Sequence, residues 1–524
     1  MKRGLIGLCA LLLGASPAPV ADVLIRGGTI FTGAEMPGFV GDVAITGDRI
    51  SYVGPSRGGS ARQVIDARGR IVAPGFIDAH THPDSFIRSP DPAVRVNAAW
   101  LAQGVSTIVT GVDGYGTPDI AADAARLTTA GVGTNVVPFI GFGAVRGRVL
   151  GQAGRSPTAA ELASMRALVA KGMCEGAYGL STGLFYAPQS FATTDEVIAV
   201  AREAGSRGGL YDTHQRDESS YSIGVLASVA EVGRIGREAR MPVHIAHLKA
   251  LGVDVQGQAR QIIRVIERAR AAGIDVTADQ YPWLASGSAL DAALLPRWAS
   301  DGGFPPLAKR FADPVVKAKL RAEMIENLRR RGGADAILMT AAGMPWTGRT
   351  LAALAAEWRV EPVDAAIRMI VPADGTPPRG IAIASFNMVD ADVDRIMRQP
   401  WVVTGSDGSD GHPRQFATFP MKYQRYVRER KVIDLARFIR NSTGRTADIY
   451  RLDRRGYLKV GYFADVVVFD PERFAPQATY VAPTRLSRGV DAVIVNGQPA
   501  LRDGTATGGL AGRVLLRSQP AACR

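Results

Sequence analysis

Cysteine is scarce in this chain, with three among 524 residues: Cys9, Cys174 and Cys523. So few, so widely spaced, make no disulfide framework, and Cys174 reads as core filling rather than as a ligand. Histidine is also sparse, at six. No internal repeat or long low-complexity tract occurs, and with 46% apolar and 21% charged residues the balance is that of an ordinary globular protein. The chain lacks an apolar run long enough to span a bilayer, which takes about 20 residues. The one candidate, 5–13, follows Lys2 and Arg3 and precedes a small-residue stretch ending at Ala21. That is the layout of a secretory signal over 1–21, predicting an exported, periplasmic or secreted protein with no stable membrane span after processing.

Lys and Arg exceed Asp and Glu, 62 to 49, for a formal charge of +13. The basic residues are scattered and form no aromatic-basic motif, so the charge argues for solubility or attraction of anionic small molecules, not for nucleic acid.

The two ends resemble each other in character. Residues 22–72 and 455–520 carry short strand patterns, at 22–26, 42–45, 49–53, 70–73, 465–470, 490–497 and 513–516, separated by turn signals. They predict a small β-sandwich domain formed by both termini. Between them, 73–454 alternates apolar strand segments near 75–78, 105–109, 135–140, 177–180, 209–212, 242–246, 274–278 and 401–404 with amphipathic helices, clearest at 158–171, 194–207 and 256–272. Eight such strands predict an α/β fold, a (β/α)8 TIM barrel. The long gap before the last strand, about 290–395, reads as a helical insertion.

The histidines concentrate where such a barrel does its chemistry. His80 and His82 follow the first strand, His214 the fifth, His247 the sixth and His412 the eighth. C-terminal strand ends converge on one rim. Residues two apart on a strand share a face, so His80 and His82 can bind one ion, and neutral imidazole suits zinc and similar metals. Asp407, in Ser406-Asp407-Gly408 after the eighth strand, can reach both a metal and its water.

These segments resemble the amidohydrolase superfamily, and within it the N-acyl-D-amino-acid deacylases (D-aminoacylases). The likeness runs through Gly75-Phe76-Ile77-Asp78-Ala79-His80-Thr81-His82, Leu180-Ser181-Thr182-Gly183-Leu184-Phe185-Tyr186, Thr213-His214-Gln215-Arg216, His247-Leu248-Lys249, Ala278-Asp279-Gln280-Tyr281-Pro282 and His412-Pro413-Arg414. It implies one or two Zn2+ ions on His80, His82, His214 and His247, with Asp407 as metal-touching catalytic base. It also implies Tyr186, Arg216, Lys249, Tyr281 and Arg414 as substrate contacts, Lys249 and Arg414 on its carboxylate. Where the best-known members have a metal-binding cysteine after the second strand, this chain has Asp113. A carboxylate can bind or bridge metal there and opens the site to Mn2+ or Co2+. The implied partner is a small-molecule acylated amino acid, the implied reaction metal-dependent hydrolysis of its amide. Alternatives are hydrolysis of D-residue dipeptides, hydantoinase-like opening of cyclic amides, and an inactive binding barrel. The hydantoinase type needs a bridging lysine near the fourth strand, and Lys171 precedes that strand on a predicted helix.

Overall fold

The computed structural model describes residues 21–56, 59–409 and 411–523. The expected leader, 1–21, lies outside them except for Ala21, which opens a strand. No helix among the described residues is long and apolar enough to cross a membrane.

All eight barrel strands form where the apolar segments predict them: Phe76–Asp78, Val105–Thr110, Asn135–Pro138, Gly179–Gly183, Leu210–His214, Val243–Ile245, Val276–Gln280 and Val402–Thr404. Neighbours pair in parallel, with Thr182 beside Thr213 and Ala278 beside Val402. Their residues are buried on both faces, hence the near-continuous apolar runs. The first and eighth strands meet through Ala79 N donating to Thr404 O at 3.3 Å and Asp407 N donating to His80 O at 2.9 Å. That junction brings the His80 and Asp407 loops together.

The helices follow from caps and stripes. Ala159–Cys174 begins at a capping box of Thr158 and Glu161, and Thr193 caps Thr194–Gly205 through Glu196 N. Ala259–Ala271 turns Ile262 and Ile266 inward. Lys171, on the first of these helices, pairs with Asp119 and Glu175 at the surface, so the bridging-lysine arrangement has no residue there.

Strands from both termini join one nine-stranded sheet. Ile71–Pro74 pairs antiparallel with Val466–Phe469 and leads straight into the first barrel strand, so the sheet fixes where the barrel starts. The strands Ala61–Asp66, Gln498–Arg502 and Thr505–Ala506 were not expected. The expected strand at 513–516 does not join this sheet. It lies along the third barrel strand, with Leu515 N donating to Val136 O at 2.8 Å. The tail then runs to Cys523, which is disulfide-bonded to Cys174. This corrects the reading of Cys174 as filler: a returning tail brings together two residues 349 positions apart, which spacing alone does not reveal.

The insertion differs from the helical expectation as well. Besides helices such as Pro314–Arg330 and Pro362–Ile370, it contains an antiparallel sheet of Ala285–Ala289, Ile337–Met339 and Ala382–Phe386. The strands are three to five residues long, and one reads Ala-Ser-Gly-Ser-Ala, too short and too poor in β-branched residues to signal themselves. Leu294, Leu320, Met324, Leu351 and Ile370 give the insertion its own core. The helix Asp390–Met397 packs instead on the barrel helix Ala259–Ala271.

Candidate metal centre

Two groups of metal-capable side chains overlap at the barrel rim. His80, His82, Asp113 and Asp407 form one, Asp113, His214 and His247 the other, with the atoms of each within 4.8 Å of one another. Asp113 belongs to both. Its Oδ1 lies 3.3 Å from His80 Nε2 and 3.5 Å from His247 Nε2. Its Oδ2 lies 3.4 Å from His82 Nε2 and 3.8 Å from His214 Nδ1. Asp407 Oδ1 is 3.3 Å from His82 Nε2. All six residues predicted as ligands are therefore brought together.

Three of the six hold backbones that side-chain-bearing residues rarely adopt: φ is +53° at Asp113, +36° at His247 and +50° at Asp407. Their surroundings impose this. Gln189 donates Nε2 to Asp113 O at 2.9 Å and accepts from Gly183 N at 2.7 Å. At Gly114 the φ of +79° strains any residue with a side chain, and a Cβ would lie 2.0 Å from Gln189 Oε1, so glycine suits the position after Asp113. His247 is held by Asp279, whose Oδ1 accepts from its backbone N at 3.1 Å. Asp78 accepts from Ser406 N at 2.8 Å and Trp100 Nε1 at 3.1 Å, tying the Asp407 loop to the first strand. Burial pushes its carboxyl up to about 7.

The charges of the cluster are mutually dependent. Burial opposes charge on His80, but Asp113 overrides it and raises the imidazole to about 9. His82 also reaches about 9 against burial, through Asp113 and Asp407. His247 reaches about 9 against both burial and Lys249, through Asp407 and Glu218. Burial lowers His214. Asp113 and Asp407 resist burial and stay far below the usual carboxylate range, Asp113 chiefly through His80, Asp407 chiefly through Arg414. The donors suit a divalent cation: His80 Nε2 and Asp113 Oδ1, 3.3 Å apart, are buried without a hydrogen-bond partner, which is costly unless something electropositive completes them.

Glu218 was not anticipated. Its Oε1 lies 3.2 Å from His247 Nδ1 and accepts from Lys249 Nζ at 2.5 Å. Lys249 Nζ also lies 2.8 Å from His247 Nδ1, so Glu218 and Lys249 together fix the ring that presents Nε2 to Asp113, an outer-shell support of the kind found behind metal-bound histidine. The available signal was its position four residues after His214. The two remaining histidines are structural. His244 joins Thr277 Oγ1 at 2.8 Å and Asp279 Oδ2 at 3.1 Å, and His412 Nε2 lies 3.2 Å from Ala285 O.

The expected substrate contacts separate into three kinds. Tyr186 lies against His214 with ring centroids 4.8 Å apart and planes tilted by 58°, and Tyr281 faces the same space. Lys249 and Arg414 line the cavities but are already engaged: Lys249 by Glu218, Arg414 through Nη1 by Asp407 Oδ2 at 2.6 Å. Arg216 requires correction. Its guanidinium grips Glu231, at 2.8 Å through Nη2, and reaches Ser190 O, so it braces the Val225–Ala239 helix and lines neither cavity at the metal ligands.

A cavity of about 720 Å³ opens on His82, Asp113 and Asp407 and extends to an apolar wall of Leu295, Phe304, Leu307, Ile381 and Ile383 from the insertion.

Comparison with known proteins agrees with this arrangement. A profile described as Amidohydrolase family matches residues 63–501. A D-aminoacylase of Alcaligenes xylosoxydans xylosoxydans is 34% identical, covering 95% of this chain and 98% of that protein. An N-acyl-D-aspartate deacylase of the same organism is 33% identical, over 93% of each. The structure of N-acyl-D-glutamate deacylase from Bordetella bronchiseptica, complexed with zinc and a phosphonate mimic of the tetrahedral intermediate, superposes with a TM-score of 0.79 at 30% identity, covering 95% of this chain and all of that one. The chain belongs to the amidohydrolase family.

Proposed function

We propose that the protein hydrolyses the amide bond of N-acyl-D-amino acids, releasing a carboxylate and the free D-amino acid, with zinc as its metal. The observation that carries this is Asp113 shared between two ligand groups, with Asp407 beside them on a cavity large enough for an acylated amino acid. Its near-full-length relatives act on N-acyl-D-amino acids, and the D preference rests on them. His80, His82, Asp113 and Asp407 would hold one ion, and His214 and His247 with Asp113 a second. Zinc bound there would polarise the acyl carbonyl and make water nucleophilic near neutral pH. Asp407, ionised at working pH, takes the proton from the attacking water and returns it to the departing amine nitrogen as the C–N bond breaks. Tyr186 and Tyr281 wall the reacting centre. The carboxylate at 113 favours tolerance of Mn2+ or Co2+.

Metal analysis paired with an activity panel tests this. The zinc-loaded protein should release amine from N-acetyl-D-amino acids and leave the L enantiomers, hydantoins and D-residue dipeptides essentially untouched. Inactivity on every D-acyl amino acid with zinc bound would defeat the proposal.

The ligand charges give a second expectation. His80, His82 and His247, raised from 6.5 to about 9, are protonated in metal-free protein at pH 7.5 but must be neutral to bind. Zinc binding should therefore release more than one proton, read by calorimetry in buffers of different ionisation enthalpy, and affinity should climb with pH until about 9. By the same shifts, these groups stabilise metal-free protein fully below 6.5, and that stability disappears as pH rises through about 9. Proton-neutral binding would remove the charged-imidazole account.

Export fits this reading, since the Cys174–Cys523 bond is of a kind that persists in oxidising compartments. We also take the nine-stranded sheet to fold as a sandwich about Ile25, Val43, Val72, Val466 and Ile494.

A further inference from the structure

A lysine lies inside the fold without a counter-ion. Lys422 is 1% exposed. Its one hydrogen bond among the described residues runs from Nζ to Thr404 Oγ1 at 3.0 Å, and no described carboxylate pairs with it. Burial lowers the amine to about 7, with Asp279 resisting and Arg437 adding to the fall. Lys422 opens a π-helical stretch, Lys422–Glu429, just after Pro420 in the helix Arg414–Met421. Departures of this kind from the α-helix are frequent at functional sites.

Its partner occupies a strategic place. Thr404 ends the eighth barrel strand, three residues before Asp407. The Thr404 hydroxyl lies 2.9 Å from Ser442 Oγ, so Lys422, Thr404 and Ser442 form one buried chain of polar groups. That chain sits where the barrel closes. The first and eighth strands are end strands of separate sheets, joined by isolated hydrogen bonds instead of a ladder. Thr404 O accepts from Ala79 N, next to His80, and Ser442 O accepts from Ile77 N at 2.8 Å. The carbonyls of Thr404 and Ser442 thus hold the strand that leads to His80 and His82, while their hydroxyls are held by Lys422.

A buried amine without a counter-charge is costly, and an apolar side chain of similar length would avoid that cost. Such local violations concentrate at functional sites. Lys422 lines neither cavity at the metal ligands, so its action is indirect.

We infer that Lys422 is a positioning residue for the reaction: through Thr404 and Ser442 it sets the seam between the strand carrying His80 and the loop carrying Asp407. This rests on the amide-hydrolase reading of the rim.

Zinc-loaded wild type, K422M, T404V and the double variant would be assayed on N-acetyl-D-leucine, with melting temperature and zinc content measured beside the kinetics. K422M should lower kcat about tenfold, well within what a small displacement far from the reacting atoms can cost, with KM changed less. Its melting temperature should hold or rise, because an apolar chain replaces a buried amine; a merely structural lysine would show the reverse, lost stability with kcat kept. The double variant should be no slower than the slower single one, since both remove the same bond. T404V also reports on that bond if K422M folds poorly. A fall in kcat of less than threefold, in folded K422M or in T404V where K422M fails to fold, overturns the inference, as do losses that multiply in the double variant. If wild type does not hydrolyse the substrate, the reaction reading fails, and the seam is judged by hydrogen exchange. Exchange at the Ala79 and Asp407 amides at least tenfold faster in K422M than in wild type supports the positioning role; unchanged exchange there overturns it.

Discussion

Asp407→Asn should cut turnover of N-acetyl-D-amino acids by roughly 10²–10⁴-fold, the usual contribution of a positioned general base, while zinc stays bound. Asparagine keeps the shape and one carbonyl oxygen but cannot accept a proton from water at neutral pH. Five of the six ligand residues remain, and Asp113, common to both groups, is untouched. The substitution also strips Arg414 of its carboxylate, 2.6 Å away, and an uncompensated buried cation costs stability. Thermal melting and zinc content therefore accompany the kinetics. A folded, zinc-loaded Asp407→Asn enzyme with near-normal kcat would remove Asp407 from the reaction.

Asp113→Ala should be more severe for the metal. It removes the oxygen that faces His80 Nε2 and His247 Nε2 and leaves imidazoles crowded without a central anion. Zinc affinity is expected to fall at least about a hundredfold, the upper range for losing even an outer-shell partner, and activity with it. Asp113→Cys is the informative companion. A thiolate at the same position should hold zinc while losing manganese and cobalt support, because soft sulfur selects against harder ions. If Asp113→Ala retained stoichiometric zinc at wild-type affinity, the shared-ligand arrangement would have to be abandoned.

The barrel was legible because its strands are buried on both sides and read as apolar runs such as Val105–Thr110. The side-chain cluster at the rim was legible because His-x-His and single histidines at strand ends converge there once the barrel closes. What surrounds them was not. Glu218 and Asp279 are ordinary acidic residues until the fifth, sixth and seventh strands stand side by side. Arg216 sits beside His214 in sequence yet points to Glu231, because neighbours along a chain diverge once the strand ends. The insertion's contribution to the cavity, from Leu295 to Ile383, depends on how a separate core packs over the rim, which no local pattern encodes.

The bond between Cys174 and Cys523 gives the molecule an unusual outline as a polymer. It closes the chain between Cys174 and Cys523, 349 positions apart, into a covalent ring of which the fourth to eighth barrel strands and the whole insertion are segments. Such a ring limits how far the unfolded chain can expand, an effect on the order of 5 kcal/mol at most. His214, His247 and Asp407 lie within that ring, while His80, His82 and Asp113 precede it, so the rim joins side chains from inside and outside the closed loop.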